Sequence, residues 1–313
     1  MKKQSWYKLG IKALVFLILV IIVDFSIGRV FDVLNDQVFV RNPKSSPADY
    51  LVKALDSDII IIGASTAQCH YIPSIIEDSL KMNTYNSGLD GTPFIVQNAL
   101  LNLMLDRYQP KIIVWEIGEV SMEIGDDSKH ISYLYPYYDK NKQVKEIIDK
   151  TDCFQKYRMI SKTYRNNSTI LDGLKNLLLR GSIETNPELK GYLPLDSTGY
   201  AYPPKIHKEI GNTLDCKKIE MLKNTIERCN DLRVLVCFSF SPKYLDNYAE
   251  IMSSAGCKAL FGVAKEYNIP VLDFYTLFPE HPQYFKDNAH LNERGAKEYM
   301  EYFVTALKRF FNG

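Results

Sequence analysis

Apolar positions along this chain fall into three patterns. The first is one continuous run, "ALVFLILVIIV" from Ala13 to Val23, with Lys2, Lys3, Lys8 and Lys12 before it and Asp24 directly after. Counted from Leu9 to Ile27, with Lys12 reaching back to the interface, the segment covers about 28 Å as a helix, close to a bilayer's hydrocarbon thickness. The second pattern is a set of short runs rich in β-branched and aromatic residues, the first four ending on glycine or serine: "DIIIIG" (58–63), "NTYNSG" (83–88), "KIIVWEIG" (111–118), "RVLVCFSFS" (233–241) and "IPVLDF" (269–274). Runs of this length without alternation predict strands covered on both faces. The third is the helical spacing between them. Pro73 opens a helix carrying Ile75, Ile76 and Leu80. Thr92 and Pro93 predict a cap and first turn for a helix reaching Tyr108. Further helices are expected near Cys216 to Cys229, over Tyr248 to Tyr267, and from Glu293 to Phe311 with Asn292 as cap.

Strands alternating with helices predict an α/β domain, a doubly wound parallel sheet of five strands with helices on both faces. The alternation lapses from about Val120 to Leu214, which carries nine of the 21 tyrosines and predicts a long aromatic insert. The expected organisation is an N-terminal membrane anchor over 1–35, a linker and lead-in over 36–57, and the α/β domain over 58–313 with its insert at 120–214. Both ends of the insert leave the edge that carries the candidate chemistry. The expectation is therefore a lid or wall, with Tyr135, Tyr137, Tyr192 and Tyr200 as contacts.

Composition narrows the partners. A net charge of +1 over 313 residues gives no clustered positive surface for nucleic acid. None of the six cysteines forms a C-x-x-C pair, so zinc and thioredoxin-like chemistry find no support; Cys237 lies inside an apolar run as a small core residue. The lysines ahead of Ala13 predict a cytoplasmic N-terminus and a translocated body. Ser26-Ile27-Gly28 also offers a weak cleavage site, so the segment is read as an uncleaved anchor with a cleaved signal as the alternative.

Four residues fall at or just after the carboxyl ends of predicted strands, or in the loop after the last one: Ser65, Gly88, Asp287 and His290. In a parallel sheet those ends share one edge, where open α/β folds place their ligands. Asp287 lies three residues before His290, a spacing that lets the carboxylate hold one imidazole nitrogen while the other faces outward. A serine hydroxyl becomes nucleophilic when such a base takes its proton. The backbone amides of Ser65 and Gly88 are candidate oxyanion donors. His70 and Glu116, at the same edge, are candidate substrate-lining residues, with a hydrogen-bonded structural acid as the other reading of Glu116. Ser65 as a plain helix cap, Cys69 as nucleophile, and Asp287 with His290 as two metal ligands are the competing readings. No third ligand is evident, and no metal or cofactor is expected.

The blocks "IIIGAST", "YNSGLDG" and "DNAHLNERGA" resemble, in that order, those of the SGNH or GDSL-like hydrolase superfamily. The resemblance implies a three-layer flavodoxin-like fold with Ser65 as nucleophile, His290 as base and Asp287 as its orienting acid. It covers the sheet and its helices, not the insert. Val120 stands where the family carries an asparagine that supplies a third oxyanion donor. The departure fits a divergent membrane-anchored subgroup that resembles enzymes modifying cell-surface polymers. The implied function is a serine esterase or O-acyltransferase acting on an ester, an acetyl group above all, of a surface carbohydrate. The alternative is a catalytically silent binding or assembly subunit of polysaccharide export. Expected partners are an acyl donor or acylated carbohydrate, the membrane and possible envelope-assembly proteins; the expected location is single-pass, with the body extracytoplasmic (periplasmic).

Overall fold

The computed structural model describes residues 2–37, 46–118, 121–166, 189–196, 203–209, 211 and 213–312. Val120, Tyr200 and the linker positions 38–45 lie outside them. The chain divides into two compact units, Met1–Ser46 with Ile131–Glu184, and Pro47–His130 with Thr185–Gly313. The expected insert is therefore not one element. Its middle part, Ile131–Glu184, belongs with the N-terminal helix, and both its ends belong with the sheet.

In the larger unit, β1 (Ile59–Gly63), β2 (Thr84–Asn86), β3 (Ile112–Glu116), β4 (Leu235–Phe240) and β5 (Val271–Asp273) form one parallel sheet in the order β2-β1-β3-β4-β5. Each strand forms where the sequence concentrates Ile, Val, Trp and Phe, residues that fit a pleated surface buried on both faces. Ile59 to Ile61 have no exposed surface. Period-two alternation splits them between two cores. Ile59, Ile61, Val114 and Cys237 pack with Tyr299, Phe303 and Leu307 of the last helix. On the other face Trp115 stacks on Phe94 at 5.5 Å and donates its indole N–H to Gln97 Oε1 at 3.1 Å. Each fully buried large apolar side chain contributes about 1.5–3 kcal/mol.

Among the described residues, eight helices of the larger unit flank this sheet or border it. The α1 helix (Lys2–Gln37) belongs to the smaller unit. In the larger one, α2 (Pro47–Lys53) occupies part of the expected linker, because Leu51 and Val52 are buried rather than solvated. Next come α3 (Ser65–His70), α4 (Pro73–Leu80) and α5 (Phe94–Leu105). The expected Thr92 cap is corrected. Pro93 occupies the cap position without a side-chain bond, and the Thr92 hydroxyl turns back to Leu89 O at 2.7 Å. In the smaller unit, α6 (Lys142–Thr151), α7 (Gln155–Arg158) and α8 (Lys162–Arg165) gather around α1 and a 3-10 turn, Ile131–Tyr137. The larger unit resumes with α9 (Cys216–Asp231). The single helix expected over Tyr248 to Tyr267 is two, α10 (Tyr248–Ser253) and α11 (Ala255–Glu266), because the Ser254 side chain caps the second by accepting from the Cys257 N–H at 3.2 Å. The last, α12 (Glu293–Asn312), starts where Asn292 Oδ1 accepts from the Gly295 N–H at 2.9 Å, the expected cap.

The tyrosines named for the lid are placed differently. Tyr192 joins the sheet core and Tyr137 is buried in the smaller unit. The Tyr135 hydroxyl accepts from Gln155 Nε2 at 2.7 Å while its ring stacks on Tyr164. All three are packing residues where described.

The α1 helix carries the stretch Trp6–Asp36, long and apolar enough to cross a membrane as an anchor or a signal sequence. It extends past the expected Leu9 to Ile27 at both ends. Its apolar side chains face outward, Phe16 at 69% exposure.

Candidate active site

The strand order places a switch point between β1 and β3, where successive connections leave in opposite directions and open a crevice at the carboxyl edge. Ser65 stands there as the first residue of α3, so its N–H has no acceptor within the helix. His290 reaches it from the loop ahead of α12, 225 positions away, with Nε2 at 2.7 Å from Ser65 Oγ. Asp287 holds the other ring nitrogen: Nδ1 lies 2.9 Å from each carboxylate oxygen. A carboxylate cannot donate, so Nδ1 carries the proton and Nε2 is the acceptor that faces the serine hydroxyl. Asp287 also accepts the N–H groups of Ala289 and His290, at 2.8 and 2.9 Å. Partial burial pushes its acidity toward the neutral form, but the hydrogen bonds from His290 and Ala289 prevail and hold it below the ordinary carboxylate value. The loop thus aims the Nε2 of an imidazole held by Asp287 at a partly exposed hydroxyl.

Beneath this lies a second polar cluster. Glu116 ends β3 fully buried and opposite Ser239 of β4. It accepts from the Ser241 hydroxyl at 2.5 Å, from the Ser241 N–H at 3.1 Å, and from the Tyr71 hydroxyl. The Tyr299 hydroxyl donates to that of Tyr71 at 3.1 Å. His70 Nδ1 lies 2.7 Å from Ser241 Oγ, and its Nε2 accepts the Leu291 N–H at 2.8 Å. That backbone donor assigns the Nδ1–H tautomer, so the chain runs His70 to Ser241 to Glu116. Burial pushes Glu116 up to about 7 despite its donors, and holds His70 well below the usual histidine value.

Three expectations are corrected by these contacts. His70 and Glu116 do not line a pocket: both are buried and fully engaged inside the protein. Gly88 does not present its amide to the serine. Its N–H donates to Asn86 Oδ1 at 2.9 Å, and a Cβ there would lie 2.3 Å from the Gln68 nitrogen. The missing side chain lets the loop press on α3, not on a substrate. The Asn86 amide completes that contact, donating to the carbonyls of Ala67 at 2.7 Å and Tyr71 at 2.9 Å. Cys69 is buried, and burial with nearby Asp90 and Asp287 pushes its thiol up to about 12, far from a thiolate at neutral pH. Val120 lies outside the described residues. Among the described residues, no three His, Cys, Asp or Glu side chains gather as a metal site.

Ser239, Ser241, Tyr71, Tyr299 and Asn86 are the functional-edge residues that sequence reasoning passed over. The one available signal was two serines alternating inside the apolar run "CFSFS".

No protein-family profile and no curated protein matches the sequence. Among solved structures, the chain is similar to a psychrotrophic esterase from Pseudoalteromonas sp., determined with monoethylphosphonate as inhibitor, at 10% identity and a TM-score of 0.42, covering 82% of this chain and 100% of that one. It is also similar to a Bacteroides fragilis protein described as a candidate acylhydrolase, at 10% identity and a TM-score of 0.39, covering 83% and 94%.

Proposed function

We propose that this protein is a serine-dependent ester hydrolase or O-acyltransferase, working through Ser65, His290 and Asp287. The observation that carries the reading is the unbroken chain from Ser65 Oγ through the His290 ring to Asp287, at 2.7 and 2.9 Å. In the proposed reaction His290 Nε2 takes the Ser65 proton as Oγ attacks the acyl carbonyl. Asp287 stabilises the imidazolium that forms. The Ser65 N–H is placed to donate to the developing oxyanion. The intermediate collapses when His290 returns the proton to the leaving alcohol, and Ser65 keeps the acyl group. Water or a sugar hydroxyl, deprotonated by the same imidazole, then releases it. The "IIIGAST" and "DNAHLNERGA" blocks support an SGNH-like assignment. An acetylated surface carbohydrate is the substrate class that fits a membrane-anchored member.

The location follows from α1. Its lysines precede the apolar stretch, so the reading is an uncleaved single-pass anchor with the chain after α1 on the periplasmic side. External protease added to spheroplasts should digest the body; a soluble protein with an intact N-terminus would refute the anchor.

One observation favours a second reading, a silent subunit of polysaccharide export. The Gly88 amide is spent inside its own loop, which removes an expected oxyanion donor. A fluorophosphonate probe on the purified full chain separates the two. Labelling that disappears in Ser65→Ala supports the enzyme; an unlabelled but folded wild-type protein supports the silent subunit.

A further inference from the structure

The smaller unit holds an acid inside its apolar helix, and the chain answers it from far away. Asp24 accepts from the Ser161 hydroxyl at 2.6 Å and from the Lys162 and Thr163 N–H groups at 2.9 and 3.2 Å. The two segments touch closely. A Cβ on Gly28 would lie 2.3 Å from the Lys162 Cβ, so only glycine admits this contact. The start of α8 is thereby fixed at the level of Asp24, within the helix stretch that is long and apolar enough to span. Just before it, Phe154, Tyr157 and Ile160 are 62%, 60% and 73% exposed. Exposed apolar side chains so near in sequence to a segment fixed on a membrane-crossing helix suit lipid better than water.

Above that depth the chemistry changes sign. Arg29 follows Ile27 by two residues, and Asp32 by five, so both lie within about 8 Å of Ile27 along the helix, at the charged end of the Trp6–Asp36 stretch. That distance is comparable to the headgroup layer on one side of a bilayer. There Arg29, Asp32, Asp139, Lys140, Lys162 and Arg165 line a cavity of about 110 Å³. Arg165 pairs with Asp139, and Lys162 with Asp32 loosely at 3.9 Å. Arg29 and Lys140 have no carboxylate in ion-pair reach among the described residues. Four cations face two acids, and a guanidinium fork matches phosphate oxygens.

We propose that this cavity binds the phosphate of an acidic lipid headgroup, with Phe154, Tyr157 and Ile160 seated in the bilayer surface below it. The site rests on α1 entering the membrane and not on the ester chemistry. Juxtamembrane cations each add about fivefold to the affinity for an acidic surface, so two unpaired ones predict a preference of about 30-fold over a zwitterionic lipid.

The test uses the full chain, first reconstituted into phosphatidylcholine vesicles and then, in detergent, offered equimolar phosphatidylglycerol and phosphatidylcholine for native mass spectrometry. The expected result is stable incorporation, with one phosphatidylglycerol retained in strong preference. Arg29→Gln and Lys140→Gln should each cut the preference about fivefold, with an unchanged circular dichroism spectrum, and Arg29→Lys should restore part of it. Protein that fails to incorporate into vesicles overturns the membrane placement. Incorporation without lipid preference, or a preference unmoved by the substitutions, overturns the pocket. Inorganic phosphate that protects the lipid-free protein against heat as strongly as phosphatidylglycerol would make it a free-phosphate site and overturn the lipid assignment.

Discussion

The larger unit contains two sets of serine, histidine and acid, and they are arranged to opposite ends. In the outer set the order is Asp287, His290, Ser65, and the chain ends on a partly exposed hydroxyl with nothing beyond it. In the inner set the histidine comes first: His70 gives its proton toward Ser241, whose hydroxyl bonds the Glu116 carboxylate, and the free His70 nitrogen is taken by the Leu291 N–H. No ring nitrogen of the inner set is left to accept a proton from an outside group. The same three residue types therefore make an outward-facing relay or a brace, depending on the order of donation and on which nitrogen faces out. The two sets meet in the backbone. The inner one ends on Leu291, the neighbour of His290, and their rings lie 6.3 Å apart, edge to face.

The largest effect should follow from Ser65→Ala. Turnover of a short-chain ester should fall by at least about 1,000-fold, with fluorophosphonate labelling lost and the melting temperature little changed. Retained turnover would break the contrast at its root. Asp287→Asn should come next, with a loss on the order of 100- to 10,000-fold in kcat, because an amide can donate to Nδ1 and invert the tautomer. Ser241→Ala should invert the pattern. Leaving Glu116 and His70 without their shared partner should destabilise the fold by about 1–3 kcal/mol in urea unfolding, while labelling of Ser65 continues. If Ser241→Ala instead abolished labelling at unchanged stability, the inner set would belong to the chemistry.

Acid and base titration separate the two carboxylates by sign. Glu116 sits at about 7 when folded against 4.5 for an ordinary glutamate. Between those values the folded chain holds a proton that the unfolded chain has released. Stability should therefore fall as pH rises through that window, by about 3 kcal/mol, and then level off. Glu116→Gln should remove this slope. Asp287 is shifted the other way: its contribution is present above the ordinary carboxylate value and is lost as pH drops through its lower folded value. Unfolding by urea at a series of pH values reads both. The smallest expected effect is that of Asn292→Ala, which removes the α12 cap for about 1 kcal/mol and should change ester turnover only a few-fold.

Much of this was legible in the sequence. All five strands lie inside the segments expected, since short runs rich in β-branched and aromatic residues between helical patterns have few other uses. Ser65, Asp287 and His290 meet because parallel strands bring their carboxyl ends together whatever the chain does between them. The inner set was not legible, because it depends on register. Glu116 faces Ser239 only once β3 and β4 are aligned, and a serine in "CFSFS" looks the same from sequence whether it packs or bonds. Gly88 misled for a related reason. Glycine signals that something approaches closely, and the sequence does not say whether that is a ligand or the protein's own helix. The break at Ser254 was visible as a capping serine after a serine, but the apolar spacing ran through it.

The Asp24 contact carries a consequence for synthesis. Its first partner, Ser161, lies 137 residues later in the chain. At 5–20 residues per second a ribosome needs roughly 7 to 27 seconds to supply it. A nascent α1 entering a bilayer would meet lipid during that interval with the carboxylate unanswered, so Asp24 must be hydrated at the surface or carry a proton until the later segment arrives. Timing, as well as hydropathy, then governs how this helix settles.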